Sequence, residues 1–144
     1  MIGDRDGTGQ IYRFKPDAAV PHEFFHGLAR ADGEYIQKRA KSAGLTTETE
    51  IVQCRMQTFE SFLADLPVGE ISMLYVDTEG SDDKIIVSVF AAGLFPPLIN
   101  YEWTEMPLKR RYDLKMKLLD HGYRFIDVGD DTVCLRVEDA RPSR

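Results

Sequence analysis

Apolar and polar positions along this chain follow two rhythms, one of period two and one near 3.6, and the switches between them mark its elements. Gln10–Lys15 alternates and stops at Pro16, which reads as a short strand. The stretch 17–30 is irregular or loosely helical, broken by Pro21 and Gly27. Asp32 stands where an N-cap belongs, Glu34 falls in the first turn and Gly44 ends the pattern, which predicts a helix over Gly33–Ala43. Glu50–Met56 reads as a second strand. Thr58 then caps a helix on which Phe59, Phe62, Leu63 and Leu66 share one apolar stripe.

Ile71–Val76 is the most strand-like run of the chain, and its near-continuous apolar character predicts burial on both faces, a habit of parallel sheets. It runs into Asp77-Thr78-Glu79-Gly80, and a helical stretch follows over Asp82–Phe90. Pro96 and Pro97 introduce a second buried strand, Leu98–Trp103. Thr104 with Pro107 opens a helix that closes at His121-Gly122. Two last strands, Tyr123–Val128 and Thr132–Val137, are joined by the hairpin turn Gly129-Asp130-Asp131. Strands alternating with helices, then a hairpin, predict an α/β fold with a mainly parallel sheet ending in an antiparallel pair. The expected organisation is one domain over 1–137, followed by a frayed tail over 138–144.

Charge narrows the partners. The 144 residues carry 18 Lys+Arg against 24 Asp+Glu, a formal net charge of −6. No basic stripe is present to release counterions, which argues against a nucleic-acid backbone or an anionic membrane surface as the main partner. No apolar run approaches the roughly 20 residues that a bilayer-spanning helix needs. Met1 precedes charged, Gly-rich sequence rather than an apolar signal segment, so the expected compartment is the cytoplasm. The two cysteines, Cys54 and Cys134, are too few and too far apart for a disulfide framework or a metal knuckle.

Four short motifs bear on chemistry. His22-Glu23-Phe24-Phe25-His26 fits H-E-x-x-H, in which two histidines one helical turn apart chelate zinc and the Glu polarises water. Pro21 places the pair at the very start of any helix, and Ala29 and Asp32 stand where the extended motif has Gly and His, so a zinc peptidase is a distant alternative to a partly exposed loop. Asp4-Arg5-Asp6-Gly7-Thr8-Gly9 opens like a calcium loop, yet its twelfth position is Lys15, an ammonium where a bidentate carboxylate is needed. The same Asp-x-Asp-Gly-Thr resembles the nucleophile motif of haloacid-dehalogenase-type phosphatases but lacks the buried strand that should precede it; a polar turn is the simpler reading. Asp77-Thr78-Glu79-Gly80 lies at the carboxyl end of the best strand, where open α/β sheets bind ligands. Two carboxylates beside a glycine suit orientation of a hydroxyl or acid–base work, and Glu102, ending the next strand, is placed to face the same crevice. Capping of the following helix by Asp77 or Thr78 explains the turn equally well.

In order along the chain, Ile2-Gly3-Asp4 with Gly7, Leu74-Tyr75-Val76 running into Asp77-Thr78-Glu79-Gly80, Pro97-Leu98-Ile99 followed by Tyr101-Glu102, and Leu118-Leu119 before His121-Gly122-Tyr123 resemble the C-terminal part of an FkbM-type methyltransferase. The resemblance implies a partial Rossmann-like sheet and a reaction that uses S-adenosylmethionine, with O-methylation of a hydroxyl on a small-molecule or glycan acceptor. It implies that Ile2, Gly3, Asp4 and Gly80 lie on the cofactor side, and that Asp77, Glu79 and Glu102 are catalytic; it implies no metal. Trp103, Tyr101, Phe24 and Phe25 are candidates to line an acceptor pocket.

The family's first strand, its glycine-rich turn and the acidic residue that holds the ribose would precede Met1. Gly7-Thr8-Gly9 opens no helix and lacks the third glycine. The expectation is therefore a truncated form that binds the cofactor weakly or not at all by itself. The absent first strand would leave Ile71–Val76 as an apolar edge, prone to pair with a second copy or a partner. The alternative from another class is a non-catalytic interaction or oligomerisation module.

Overall fold

A computed structural model describes residues 1–3, 5–65 and 71–137 of the chain. It divides into two compact units, Gly3–Gln57 and Thr58 onward. The predicted tail over 138–144, Asp4 and Leu66 of the predicted stripe lie outside the described residues.

The N-terminal unit is a three-stranded antiparallel sheet with one main helix. Strand β1 (Gly7–Phe14) is followed by a single helical turn, α1 (Phe24–Gly27), a two-residue strand, β2 (Ala29–Arg30), helix α2 (Gly33–Ala43) and strand β3 (Thr49–Met56). The strands lie in the order β2-β1-β3. The ends of α2 are fixed by local chemistry. Asp32 Oδ1 accepts from the N–H of Glu34 (3.0 Å) and Tyr35 (3.3 Å), satisfying donors that the helix itself cannot pair. At the other end Gly44 adopts a left-handed φ of 72°, and the N–H of Leu45 reaches back to the Ala40 carbonyl at 2.8 Å. Ile36 and Ala40 of α2 meet Phe14 and Leu28 in a small core, with Phe25 packed edge-on against Phe14 at 5.1 Å between ring centres.

The C-terminal unit comprises α3 (Phe59–Ala64), β4 (Met73–Val76), α4 (Asp82–Ala91), β5 (Leu98–Glu102), α5 (Leu108–Asp120), β6 (Tyr123–Val128) and β7 (Asp131–Arg136). Thr58 caps α3 as predicted, its hydroxyl accepting from Ser61 N–H at 3.1 Å. The four strands lie in the order β4-β5-β7-β6. Their core gathers Val76, Ile99, Tyr101, Cys134 and Tyr123 from the sheet with Ile86 of α4 and Leu114 and Leu118 of α5. The Tyr123 hydroxyl donates to the Pro96 carbonyl at 2.7 Å, pairing its one polar atom inside that core.

The α/β class holds, but the expectation of a mainly parallel sheet is corrected. Among the described residues only β4 and β5 pair in parallel; β7 runs antiparallel between β5 and β6, and the N-terminal strands form a separate antiparallel sheet. The terminal hairpin is present, with Gly129 at φ 63° in a two-residue turn between Val128 and Asp131. Burial of β4 on both faces is also corrected. Val76 is buried, whereas Met73 is 49% and Tyr75 60% exposed, because α4 and α5 pack on one side of the strand alone. The same alternation holds along β5, where Ile99 and Tyr101 are buried and Leu98, Asn100 and Glu102 are half-buried.

Candidate functional site

The parallel pair brings two chain turns together at its carboxyl end. Val76 is in register with Tyr101, so Asp77 and Glu102 emerge side by side, one residue further along. Between β4 and α4 the chain turns through Glu79 and Gly80, both left-handed, with φ of 52° and 92°. For a glutamate that conformation costs on the order of 1 kcal/mol, so the surroundings must impose it.

Two clamps do so. Asp82, fully buried at the first turn of α4, accepts from the Thr78 hydroxyl at 2.9 Å and the Thr78 N–H at 3.4 Å through Oδ2. Its Oδ1 accepts from the Glu102 N–H at 3.2 Å, so one carboxylate ties the β4–α4 turn to the end of β5. Burial raises the proton affinity of Asp82, and the Thr78 hydroxyl and the backbone N–H groups oppose that rise. From α5, Arg110 forms a two-pronged ion pair with Asp83 and donates to the Gly80 carbonyl at 3.1 Å. The Asp83 carboxylate in turn holds the Arg110 proton more firmly.

Glu102 is the chemically distinctive member. Burial, reinforced by the negative charges of Glu79, Asp77, Asp82 and Glu105, pushes its carboxyl up to about 7. A carboxylate that exchanges protons near neutrality suits general acid–base chemistry. The turn beyond it is braced by Arg111, whose guanidinium lies 4.4 Å from the centre of the Trp103 ring and donates to the Met106 and Thr104 carbonyls at 2.6 and 2.9 Å.

The structure thus brings Asp77, Glu79, Gly80 and Glu102 together. Capping by Asp77 or Thr78 is not what orders the turn: Ser81 occupies the N-cap position of α4 without a side-chain cap, and Thr78 donates to Asp82 instead. Sequence reasoning missed Asp82, Arg110 and Glu105. The pair Asp82-Asp83 in the first turn after a Gly-Ser turn was the available signal, since carboxylates belong there electrostatically. Gly3 sits in the N-terminal unit, its N–H donating to the Gln57 carbonyl at 2.8 Å. Of the aromatic candidates, Tyr101 is wholly core, Phe25 packs on Phe14, and Trp103 packs against the C-terminal core.

The H-E-x-x-H geometry is corrected as well. Helix α1 begins only at Phe24, so His22 and His26 are not one turn apart on a helix, and His22 Nδ1 accepts the Phe24 N–H at 3.1 Å. Among the described residues no group of three or more His, Cys, Asp or Glu is arranged to hold a metal ion. Nor is any of the described helices long and apolar enough to cross a membrane. Compared with known proteins, the chain matches no family model, no curated protein and no solved structure.

Proposed function

We propose that this chain is the acceptor-side part of an FkbM-like methyltransferase, acting on a hydroxyl of a small-molecule or glycan acceptor. The observation that carries the reading is the convergence of Asp77, Glu79 and Glu102 at the carboxyl end of the parallel pair, with Glu102 poised near 7. Glu102 accepts the proton of the acceptor hydroxyl, and Asp77 and Glu79 accept hydrogen bonds from neighbouring hydroxyls and so fix the oxygen that reacts. The antiparallel final strand, reached by a hairpin turn, supports the same reading.

S-adenosylmethionine would supply the methyl group, but the described residues do not make a seat for it. Gly7 and Gly9, the nearest thing to a glycine-rich turn, lie inside β1, paired with Met56 and Cys54, and open no helix. Of the residues the resemblance puts on the cofactor side, Gly80 stands on the β4–α4 turn beside the carboxylates and Gly3 in the other unit, so Gly80 would serve a cofactor only in company with groups supplied from elsewhere. Calorimetric titration of the chain with S-adenosylhomocysteine tests this. No heat up to millimolar concentrations is expected, and micromolar binding, about −8 kcal/mol, would overturn the acceptor-side assignment.

A second reading, a non-catalytic interaction module, draws support from β4. Among the described residues it is an edge strand with Met73 and Tyr75 exposed. Pairing with a second copy or a partner through that edge is its natural use.

A further inference from the structure

The mixed sheet of the C-terminal unit has two unlike faces. Helices α4 and α5 cover one of them, over Val76, Ile99, Tyr101 and Cys134. Register fixes what the other presents. Met73 and Leu135 lie in its first row, in line with Arg124 at the far corner; Tyr75 and Ile126 lie in its second; Glu102, Asp131 and Val128 form its third, and Asp77 continues that row beyond β4. Its apolar members are open to solvent: Met73 49%, Tyr75 60%, Ile126 65%, Val128 57% and Leu135 56% exposed. Half-buried Leu98, Asn100 and Val133 lie between them in the first two rows, so the apolar residues share one face around a single amide rather than being scattered over the surface. On this face of the parallel pair Met73 and Tyr75 are exposed and Leu98, Asn100 and Glu102 half-buried, although sheets of that kind are normally covered by helices on both faces.

Resting on the interaction-module reading, in which Glu102 and Asp77 take a partner rather than an acceptor, we propose that this face seats an amphipathic helix of a separate polypeptide, its apolar stripe on the first two rows and a Lys/Arg-bearing end over the acidic third. Charge selects that occupant over a second copy of the chain. A two-fold axis along the strands would set the acidic row of one copy on that of the other; an axis across the strands would bury Glu102 and Asp131 against apolar side chains of the first row. A cationic helix end instead meets those carboxylates with opposite charge. Size agrees, since four strands at about 4.8 Å spacing make a strip roughly 14 Å wide, and a helix with its side chains is about 10–12 Å across.

The test uses the full chain and a fluorescent helical peptide of about 18 residues, roughly five turns, with leucines at i, i+3, i+4 and i+7 and Lys/Arg confined to one end. A matched peptide carries Glu in place of Lys/Arg. The basic-ended peptide is expected to bind at least about tenfold tighter than the acidic-ended one, and Asp131→Asn to narrow that ratio. Ile126→Asp and Tyr75→Asp, at opposite sides of the patch, are each expected to weaken binding by about tenfold or more with the thermal midpoint unchanged. Equal binding of the two peptides, or binding that survives both variants, would overturn the proposal. So would a dimer in sedimentation velocity that Ile126→Asp dissolves, because the occupant would then be a second copy.

Discussion

Glu102 and Asp82 lie within one hydrogen bond of each other, yet they do different work. The raised carboxyl of Glu102 has a stability consequence with a definite sign. Its folded-state value of about 7 stands above the usual 4.5, so the native state holds the proton more tightly than the unfolded chain. The stability this contributes is present in acid and is lost as pH rises from 4.5 through about 7. Glu102→Gln cannot ionise, so its melting temperature relative to the parent is expected to climb across that window and level off above about pH 8. A difference that stays flat from pH 4.5 to 8 would show that the carboxyl is not shifted. Asp82 is instead a brace. Asp82→Ala strands the Thr78 hydroxyl and the Glu102 N–H, and is expected to cost about 3 kcal/mol in urea unfolding. Asp82→Asn keeps one acceptor and should cost roughly half as much. Asp77, Glu79 and Glu102 were legible in the sequence because strand ends followed by carboxylates are local patterns. The brace was not, since nothing near Asp82 in sequence announces that its partner is the amide of Glu102, twenty residues on.

At the scale of elements, helix ends marked by a capping side chain and a glycine stop were legible, whereas the capping of α4, which has no side-chain cap, was not. Helix α2 runs from the residue after its Asp32 cap to the residue before its Gly44 stop, as the sequence predicts. Asp32→Ala is expected to lower the stability of the N-terminal unit by about 1 kcal/mol, and Gly44→Ala by about as much because φ of 72° strains an L side chain. Denaturant midpoints for the two variants check both figures. What is decided by distant partners was read in part. The resemblance led to the expectation that this strand, Met73-Leu74-Tyr75-Val76, is an edge, and among the described residues β4 has β5 as its one neighbour. The exposure of Met73 and Tyr75 was not expected, because an apolar run does not say whether helices pack on one face or on both. The hairpin turn announces that β6 and β7 pair; it is silent on β5 lying along the other side of β7, which makes the sheet mixed. The turn between β4 and α4 depends on a third element, α5. Arg110→Met removes the pair to Asp83 and the bond to the Gly80 carbonyl, so amides around 79–81 are expected to exchange with deuterium at least about tenfold faster while those of β5 keep their protection. Unchanged exchange at 79–81 would mean that Asp82 alone holds the turn.

Over the whole molecule, the alternating pattern reads as one sheet, but the strands divide between two sheets with separate cores. Phe14, Leu28, Ile36 and Ala40 share no member with the cluster built on Val76, Ile86, Ile99, Tyr101 and Leu118. The sequence does not carry this division, because β1 and β3 alternate much as β5 and β7 do, and which strands pair is a property of the folded chain. The division predicts how damage spreads. Ile36→Ala opens a cavity in the smaller core and is expected to cost about 2–5 kcal/mol there. The smaller core has few buried apolar side chains, so much of that loss falls on a unit with little stability in reserve. Amides of β1 and β3 are then expected to lose deuterium-exchange protection while those of β5 and β7 keep theirs. Ile99→Ala, in the larger core, should reverse the pattern, exposing β5 and β7 and sparing β1 and β3. Loss of protection in all four strands from either substitution would mean that the two cores unfold as one cooperative unit, and would refute the division.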